Sequence, residues 1–359
     1  MSKRKHKPHK KHETPLVNSF AQWMDDVALA PATQRTALPI VRRWRDWLAE
    51  HHLTLREART KDTRAWAKSL KDSGIRPGTV AKNINVLRCF YGYMNEELGF
   101  PHVVVPHHVR RGRRNAPQSG VISREVPTVE EMLLIRNALN RWAVRGPTER
   151  VPSPRFPRRP RNGWLSRLET LALFELSVAT GLRISTMQSL TPGHLDPHTG
   201  YVVLDHSADT KFDQPYRPQA TPYGFVAVTQ YLEARAYAEG QPVARDDVIW
   251  EHKTEAQMGK MYRRMTHEAG LDRHFTCHSY RHFFGCMCYY QSLHTPPRRN
   301  DTIWTANQLG HAGPSTLMVY ARRVDEVCQS DELWQAWALG QEIPDERLRQ
   351  PRNADRMAS

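Results

Sequence analysis

Cysteine is scarce in this chain: Cys89, Cys277, Cys286, Cys288 and Cys328 are all there is in 359 residues. Five scattered thiols exclude a disulfide framework and fit a reducing, cytoplasmic setting. The pair Cys286-x-Cys288, near His282, lacks the two-residue spacer of a zinc knuckle. These thiols therefore read as buried helical side chains, and no metal or other cofactor is expected. Long apolar runs are missing too. None approaches the roughly 20 residues that span a bilayer, and no apolar stretch follows the basic N-terminus as a signal peptide requires. Acidic residues are outnumbered, 37 Asp and Glu against 52 Lys and Arg, for a net charge of +15. Such a surplus selects a polyanionic partner, because each cation set beside a phosphate releases a condensed counterion. An anionic membrane surface has the same sign, but no membrane partner is expected.

What is present divides the chain. Residues 1–13 (MSKRKHKPHKKHE) hold six Lys or Arg in the first twelve and no acid among them; they read as a disordered basic arm, a solubilising tail or a non-specific DNA contact. Residues 14–104 read as a helical domain. Leu16, Phe20, Trp23, Met24 and Val27 recur at helical spacing, then Ile40, Val41, Trp44, Trp47 and Leu48. A third helix fits Thr60 to Leu70, with Thr60 as N-cap. A fourth runs from Pro77 to Leu98, with Ile84, Leu87, Tyr91, Met94 and Leu98 on one face. Its opposite face offers Thr79, Lys82, Asn83 and Arg88, either solvated or turned to DNA. Residues 105–126 lack periodicity, and Arg110-Arg111-Gly112-Arg113-Arg114 makes them a basic linker, with Arg111, Arg113 and Arg114 as further DNA contacts.

A second domain is expected over 127–330. Thr128 and Glu131 form a capping-box pattern before Met132, Leu133, Ile135 and Leu139. Residues 143–163 are rich in Pro and Arg and read as an inserted loop. Leu165 to Thr180 is a strongly apolar helix that Gly181 ends. Leu195 to Pro222 reads as a small β-region, with a turn at Asp196–Gly200, a strand at Tyr201–Leu204 and a polar hairpin tip at Asp209–Gln214. Residues 331–359 hold one amphipathic stretch, Leu333 to Leu339, and a polar tail. That stretch either docks on a neighbouring copy or packs on its own domain. The fold class is mainly α with a small β-sheet.

The chemistry lies in the order Arg183, Lys211, His278-x-x-Arg281, His311, Tyr320, with the last two nine positions apart. Cleaving a phosphodiester with a side chain poses three problems: charge on the non-bridging oxygens, a proton on the nucleophile, and a leaving oxygen that needs one. Arginine suits the first, since its fork donates two hydrogen bonds to one phosphate and keeps its charge. Tyrosine, with an ordinary pKa of about 10, needs a cationic environment or a base to attack. A phosphotyrosine would conserve the bond energy for religation without ATP. Singly these residues are weak signals; together they point to strand transesterification.

That order resembles the tyrosine recombinase, or phage integrase, family. The matching text is Ala179-Thr-Gly-Leu-Arg-Ile-Ser185, His278-Ser-Tyr-Arg-His282, and Leu309-Gly-His311 with Ser315-Thr316 and Tyr320. The resemblance spans about 16–323. The first domain is similar to the family's SAM-like core-binding domain through Ala30-Pro-Ala-Thr-Gln-Arg-Thr and Ser73-Gly-Ile-Arg-Pro-Gly-Thr-Val. It implies a helical core-binding domain followed by an α+β catalytic domain. It also implies phosphate-clamping arginines at Arg183 and Arg281, a nucleophile at Tyr320, and proton-transfer or phosphate contacts at His278 and His311. Lys211, the only lysine between Arg183 and Lys253, best matches the family's general acid. The implied activity is site-specific DNA recombination through a 3′-phosphotyrosine and a Holliday junction. The implied partners are double-stranded recombination sites, a homotetramer on synapsed DNA, and an accessory directionality factor as an optional one. The place of work would be the cytoplasm, on the nucleoid.

Three departures stand out. Thr186 sits where many members carry an acid, Tyr280 replaces the usual Leu, and 30 positions separate Arg281 from His311, which reads as an extra surface loop over Ser292–Asn300. Two rival activities share the chemistry or the fold: a type IB topoisomerase, and a DNA-binding regulator without catalysis.

Overall fold

The computed structural model describes residues 14–100, 126–144, 163–204, 215–251, 253–294, 301–310, 318–321 and 323–350. The basic arm, Arg111, Arg113, Arg114, Lys211, His311, the hairpin tip at 209–214 and most of the 105–126 and 143–163 segments lie outside the described residues. The chain divides into two compact units, Met1–Ser119 and Gly120–Ser359.

The first unit is built from α1 (Thr14–Asp26), α2 (Pro31–Glu50), α3 (Thr60–Asp72) and α4 (Pro77–Leu98). Val17, Phe20 and Met24 bury one stripe of α1 against Ile40, Val41, Trp44 and Leu48 of α2 and Val80, Ile84, Leu87 and Tyr91 of α4. The polar tips of the buried aromatics are satisfied inside. Trp44 Nε1 donates to the Tyr91 hydroxyl at 2.9 Å, which donates to Leu55 O at 3.1 Å. They are core residues, since a buried N–H or O–H needs such a partner.

Several sequence expectations need correction in this unit. Val27 lies past the end of α1 and is exposed, as is Leu98 at the end of α4. Thr60 is the first helical residue rather than the cap; the Asp62 carboxylate accepts the Arg59 N–H at 2.8 Å instead. Asn83 does not share a surface with Thr79 and Lys82. It is 1% exposed, turned into the core beside Ile84, and its Nδ2 has no hydrogen-bond partner among the described residues. The 3.6-residue repeat explains this, since position 83 follows Val80 by three and precedes Leu87 by four on the buried stripe. Thr79 and Lys82 are exposed, and Arg88 is half-buried with a 3.3 Å bond to Asn85 Oδ1.

The second unit opens with α5 (Val129–Val144), whose start is capped reciprocally: Thr128 N–H donates to Glu131 Oε2 at 2.9 Å and Glu131 N–H to Thr128 Oγ1 at 3.3 Å. Next comes α6 (Gly163–Thr180), buried on nearly every side and packed along α5, along α8 (Pro222–Glu239) and along α10 (Cys277–His294). Short α7 (Ile184–Ser189) precedes the β-region, and α9 (Glu255–Glu268) precedes α10. After α10 come α11 (Asp301–Leu309), α12 (Met318–Ala321), α13 (Val324–Val327), α14 (Asp331–Leu339) and α15 (Asp345–Leu348). The helix α10 continues through His294 with Ser292 buried, so Ser292–His294 are helical rather than loop, and the rest of the expected loop, 295–300, lies outside the described residues.

The sheet is small. Strand β1 (Leu195–Asp196) pairs antiparallel with β2 (Tyr201–Val202), in the register Leu195↔Val202 and Asp196↔Tyr201. Asp196 closes the turn by accepting the Thr199 hydroxyl at 2.6 Å and the His198 N–H at 3.0 Å, and Gly200 takes φ +73°. Bridges Tyr201↔Gln219 and Leu204↔Tyr216 carry a returning segment alongside.

The amphipathic stretch near Trp334 packs on its own unit. Arg136 of α5 is fully buried, donates two 2.8 Å bonds to the Glu175 carboxylate, and caps α14 by donating to Ala336 O at 3.2 Å and Trp337 O at 2.8 Å. Helix-terminal carbonyls lack partners of their own, so a guanidinium there ties the helix down. The Trp337 ring sits edge-on to Phe283 at 5.3 Å.

Among the described residues no helix is long and apolar enough to cross a membrane, and no group of three or more His, Cys, Asp or Glu is placed to hold a metal ion.

Candidate active site

The site forms where the end of α6, the start of α10, the end of α11 and the short α12 meet. Gly181 terminates α6 at φ +58°, a conformation other residues resist, and a Cβ there would lie 2.5 Å from the Phe284 ring. The tight turn buries Leu182 and sets Arg183 at the N-cap of α7, half-buried.

Helix α10 begins with Thr276 and Ser279 exchanging bonds of 3.3 Å between backbone N–H groups and side-chain hydroxyls. Helical spacing then turns Arg281 inward. It is 3% exposed, donates from Nη1 to Gly181 O at 2.7 Å and from Nη2 to Leu309 O, and so ties the turn after α6 to the last residue of α11. Two of its five N–H donors are spent on backbone, which fixes the plane of the fork. His278 and His282, one turn apart, stack edge-on with ring centroids 4.3 Å apart; His278 is exposed and His282 half-buried.

Tyr320, on α12, is 3% exposed. Its ring lies 5.7 Å from that of His282 and fills the space above Gly285, where a Cβ would come within 2.6 Å of Cε1. Cys286 Sγ donates to its carbonyl at 3.9 Å. Burial pushes the Tyr320 phenol up to about 12, while Arg281 and, more weakly, Arg183 pull it down. The same proximity acts on Arg183, whose pKa falls through burial and the charge of Arg281. Burial also raises Cys286, to about 12, so this thiol stays protonated beside the tyrosine.

The structure thus brings Arg183, Arg281 and Tyr320 together, with His278 reaching them through His282. Two residues that sequence reasoning did not single out as site members stand beside them. His282 touches the tyrosine ring. Tyr216, on the segment bridged to Leu204, is close enough to Arg281 and Arg183 for both to favour its phenolate, although burial raises its pKa overall. A glycine inside a helix signals a close approach, and Gly285 was the signal available for the seat of Tyr320; Tyr216 carried none. Thr186 is buried in α7. Two guanidinium groups converging on a buried phenol form a cationic cluster suited to an anion.

Comparison with known proteins bears on the family and the fold. Residues 165–326 match the phage integrase family. The tyrosine recombinase XerD of Chlorobaculum tepidum is 22% identical over 296 residues, covering 80% of this chain and 84% of that protein. Among solved structures, XerH recombinase bound to a palindromic difH substrate in a post-cleavage complex superposes with TM-score 0.56 at 17% identity, over 82% of this chain and 78% of that one. A lambda integrase tetramer bound to a Holliday junction superposes with TM-score 0.54 at 16% identity, over 85% and 76%. At such identities these structures share the fold with this chain. Residues 165–326, the part of the chain that carries Arg183, Arg281 and Tyr320, thus match the phage integrase family, and the curated relative that spans most of the chain is a tyrosine recombinase.

Proposed function

We propose that this chain is a site-specific DNA recombinase that cleaves and rejoins strands through Tyr320. Arg183 and Arg281 hold the scissile phosphate. The Tyr320 oxygen bonds to phosphorus as the bond to the 5′-oxygen breaks, leaving a 3′-phosphotyrosine and a free 5′-hydroxyl. The phenolic proton leaves toward the His278–His282 side, and Lys211 gives a proton to the departing oxygen. His311 donates to the phosphate. A 5′-hydroxyl from the partner duplex then reverses the step, so a Holliday junction forms without ATP. Four copies act on two synapsed sites, in the cytoplasm on the nucleoid, with an accessory directionality factor as an optional partner. The first unit and the basic segments grip the flanking duplex.

The observation that carries this reading is the packing of Tyr320 among Arg281, Arg183 and Gly285. The lambda integrase tetramer on a Holliday junction and the XerH post-cleavage complex support the oligomer and the chemistry. The test is to incubate the full chain with a randomised duplex library, recover covalent adducts, and repeat on a nicked duplex of the recovered sequence. Wild type should accumulate a protease-sensitive 3′-adduct and Tyr320→Phe none. An adduct formed equally by Tyr320→Phe removes the nucleophile assignment. Relaxation of supercoils with no sequence preference removes the recombinase reading.

A further inference from the structure

Tyr216 is 7% exposed, and its hydroxyl lies beside the Arg281 guanidinium, close enough to feel it but making no hydrogen bond of ordinary geometry among the described residues. Holding a hydroxyl away from water without a well-formed partner is unfavourable, and a fold keeps such a group where something else satisfies it. Its surroundings say what that is. The bridge to Leu204 fixes its backbone, and the Gln219 N–H donates to Gln308 Oε1 at 2.6 Å, which clamps the same segment to α11. The ring lies flat over Gly310, where a Cβ would fall 2.7 Å from Cγ and Cδ1. The neighbouring carbonyl, Leu309 O, accepts the Arg281 guanidinium, which also holds Gly181 O, two residues before Arg183. Tyr216 is therefore packed on the backbone that orients the arginine clamp, immediately before His311 in the chain.

We infer that the Tyr216 hydroxyl is a further donor to the scissile phosphate, joining Arg183 and Arg281 around its non-bridging oxygens. The inference rests on the reading of this pocket as a strand-cleavage site. A phenol is suited to the task, since it donates one directed hydrogen bond without adding charge, and burial keeps it in the donor form. Tyr216 is thus a second tyrosine in the pocket with a role opposite to that of Tyr320: it holds the anion and does not attack it.

Tyr216→Phe removes the oxygen and keeps the ring on Gly310. Single-turnover cleavage of the nicked duplex should slow on the order of 10²-fold, the usual loss for one donor to a developing oxyanion. DNA affinity should hold, and the melting temperature should stay level or rise, because an unsatisfied hydroxyl has been deleted. Substituting sulfur for one non-bridging oxygen in each stereochemistry supplies the second measurement. One of the two stereoisomers should slow wild type more than it slows Tyr216→Phe. Unchanged cleavage by Tyr216→Phe, or identical sulfur effects in both proteins, overturns the inference. Absence of any adduct from wild type overturns the cleavage reading itself, a separate outcome.

Discussion

The ring of Tyr320 occupies the volume that any side chain at Gly285 would need: a Cβ there would lie 2.6, 2.8 and 2.9 Å from Cε1, Cδ1 and Cζ. Real Cβ atoms do not come so close, so Gly285→Ala must displace the tyrosine from α10. A misplacement of about 1 Å costs roughly 10²-fold in rate when reacting atoms have to be aligned. Gly285→Ala should therefore lose adduct formation by about that factor while binding DNA normally in a mobility-shift assay. Adduct formation at the wild-type rate would mean that the ring position in the free protein is irrelevant to attack.

Arg136 joins α5, α6 and α14 through one guanidinium, bonded to both Glu175 oxygens and to two carbonyls at the end of α14. Removing one member strands a buried charge. Arg136→Met should cost about 3–5 kcal/mol in urea unfolding of the full chain, whereas Arg136→Met with Glu175→Leu should recover much of it. Equal losses for the single and double variants would contradict this account of the pair.

Much of the site was legible because its chemistry is tied to spacing. Gly181 before Arg183 announced a turn and a cation, and His278-x-x-Arg281 placed both residues one turn apart on a helix. The misreadings share one cause, that periodicity ranks residues by polarity while packing ranks them by position. Asn83 looked like a surface residue because it is polar, yet it falls on the buried stripe of α4. The Leu333–Leu339 stretch stayed open between a neighbouring copy and its own domain because its anchor, Arg136, lies 200 positions away from Ala336. Tyr216 was invisible for the same reason: its relation to Arg281 and Gly310 exists only once the β-region folds back onto α11.

Lys82 and Asn83 are adjacent in sequence but differ in exposure, and this yields a test of the proposal that α4 faces DNA. Lys82 is exposed and Asn83 is in the core. If Lys82 neutralises one phosphate, Lys82→Ala should make the slope of log affinity against log salt shallower by about 0.9. Asn83→Leu should leave that slope alone and hold or raise the melting temperature, since its Nδ2 has no partner to lose among the described residues. A salt slope unchanged in Lys82→Ala would remove this face of α4 from the DNA interface.

The raised pKa of Tyr320 also predicts how stability depends on pH. Folding moves the phenol from 10.0 to about 12, chiefly through burial. The folded state therefore holds this proton more tightly than the unfolded chain does. Its contribution is complete below pH 10, where both states are protonated, and is lost as pH rises from 10 to about 12. A change of this size corresponds to ~2.7 kcal/mol between the two protonation states. Other buried phenols, among them Tyr216 and Tyr262, titrate in the same direction, so the wild-type curve should fall steeply in this window. Tyr320→Phe should make the slope less steep by up to one proton, ~1.4 kcal/mol per pH unit. Urea unfolding of both proteins across the window reads the difference directly. Parallel curves would mean that Tyr320 is open to water in solution, and the closed seat on Gly285 would then not be its resting position.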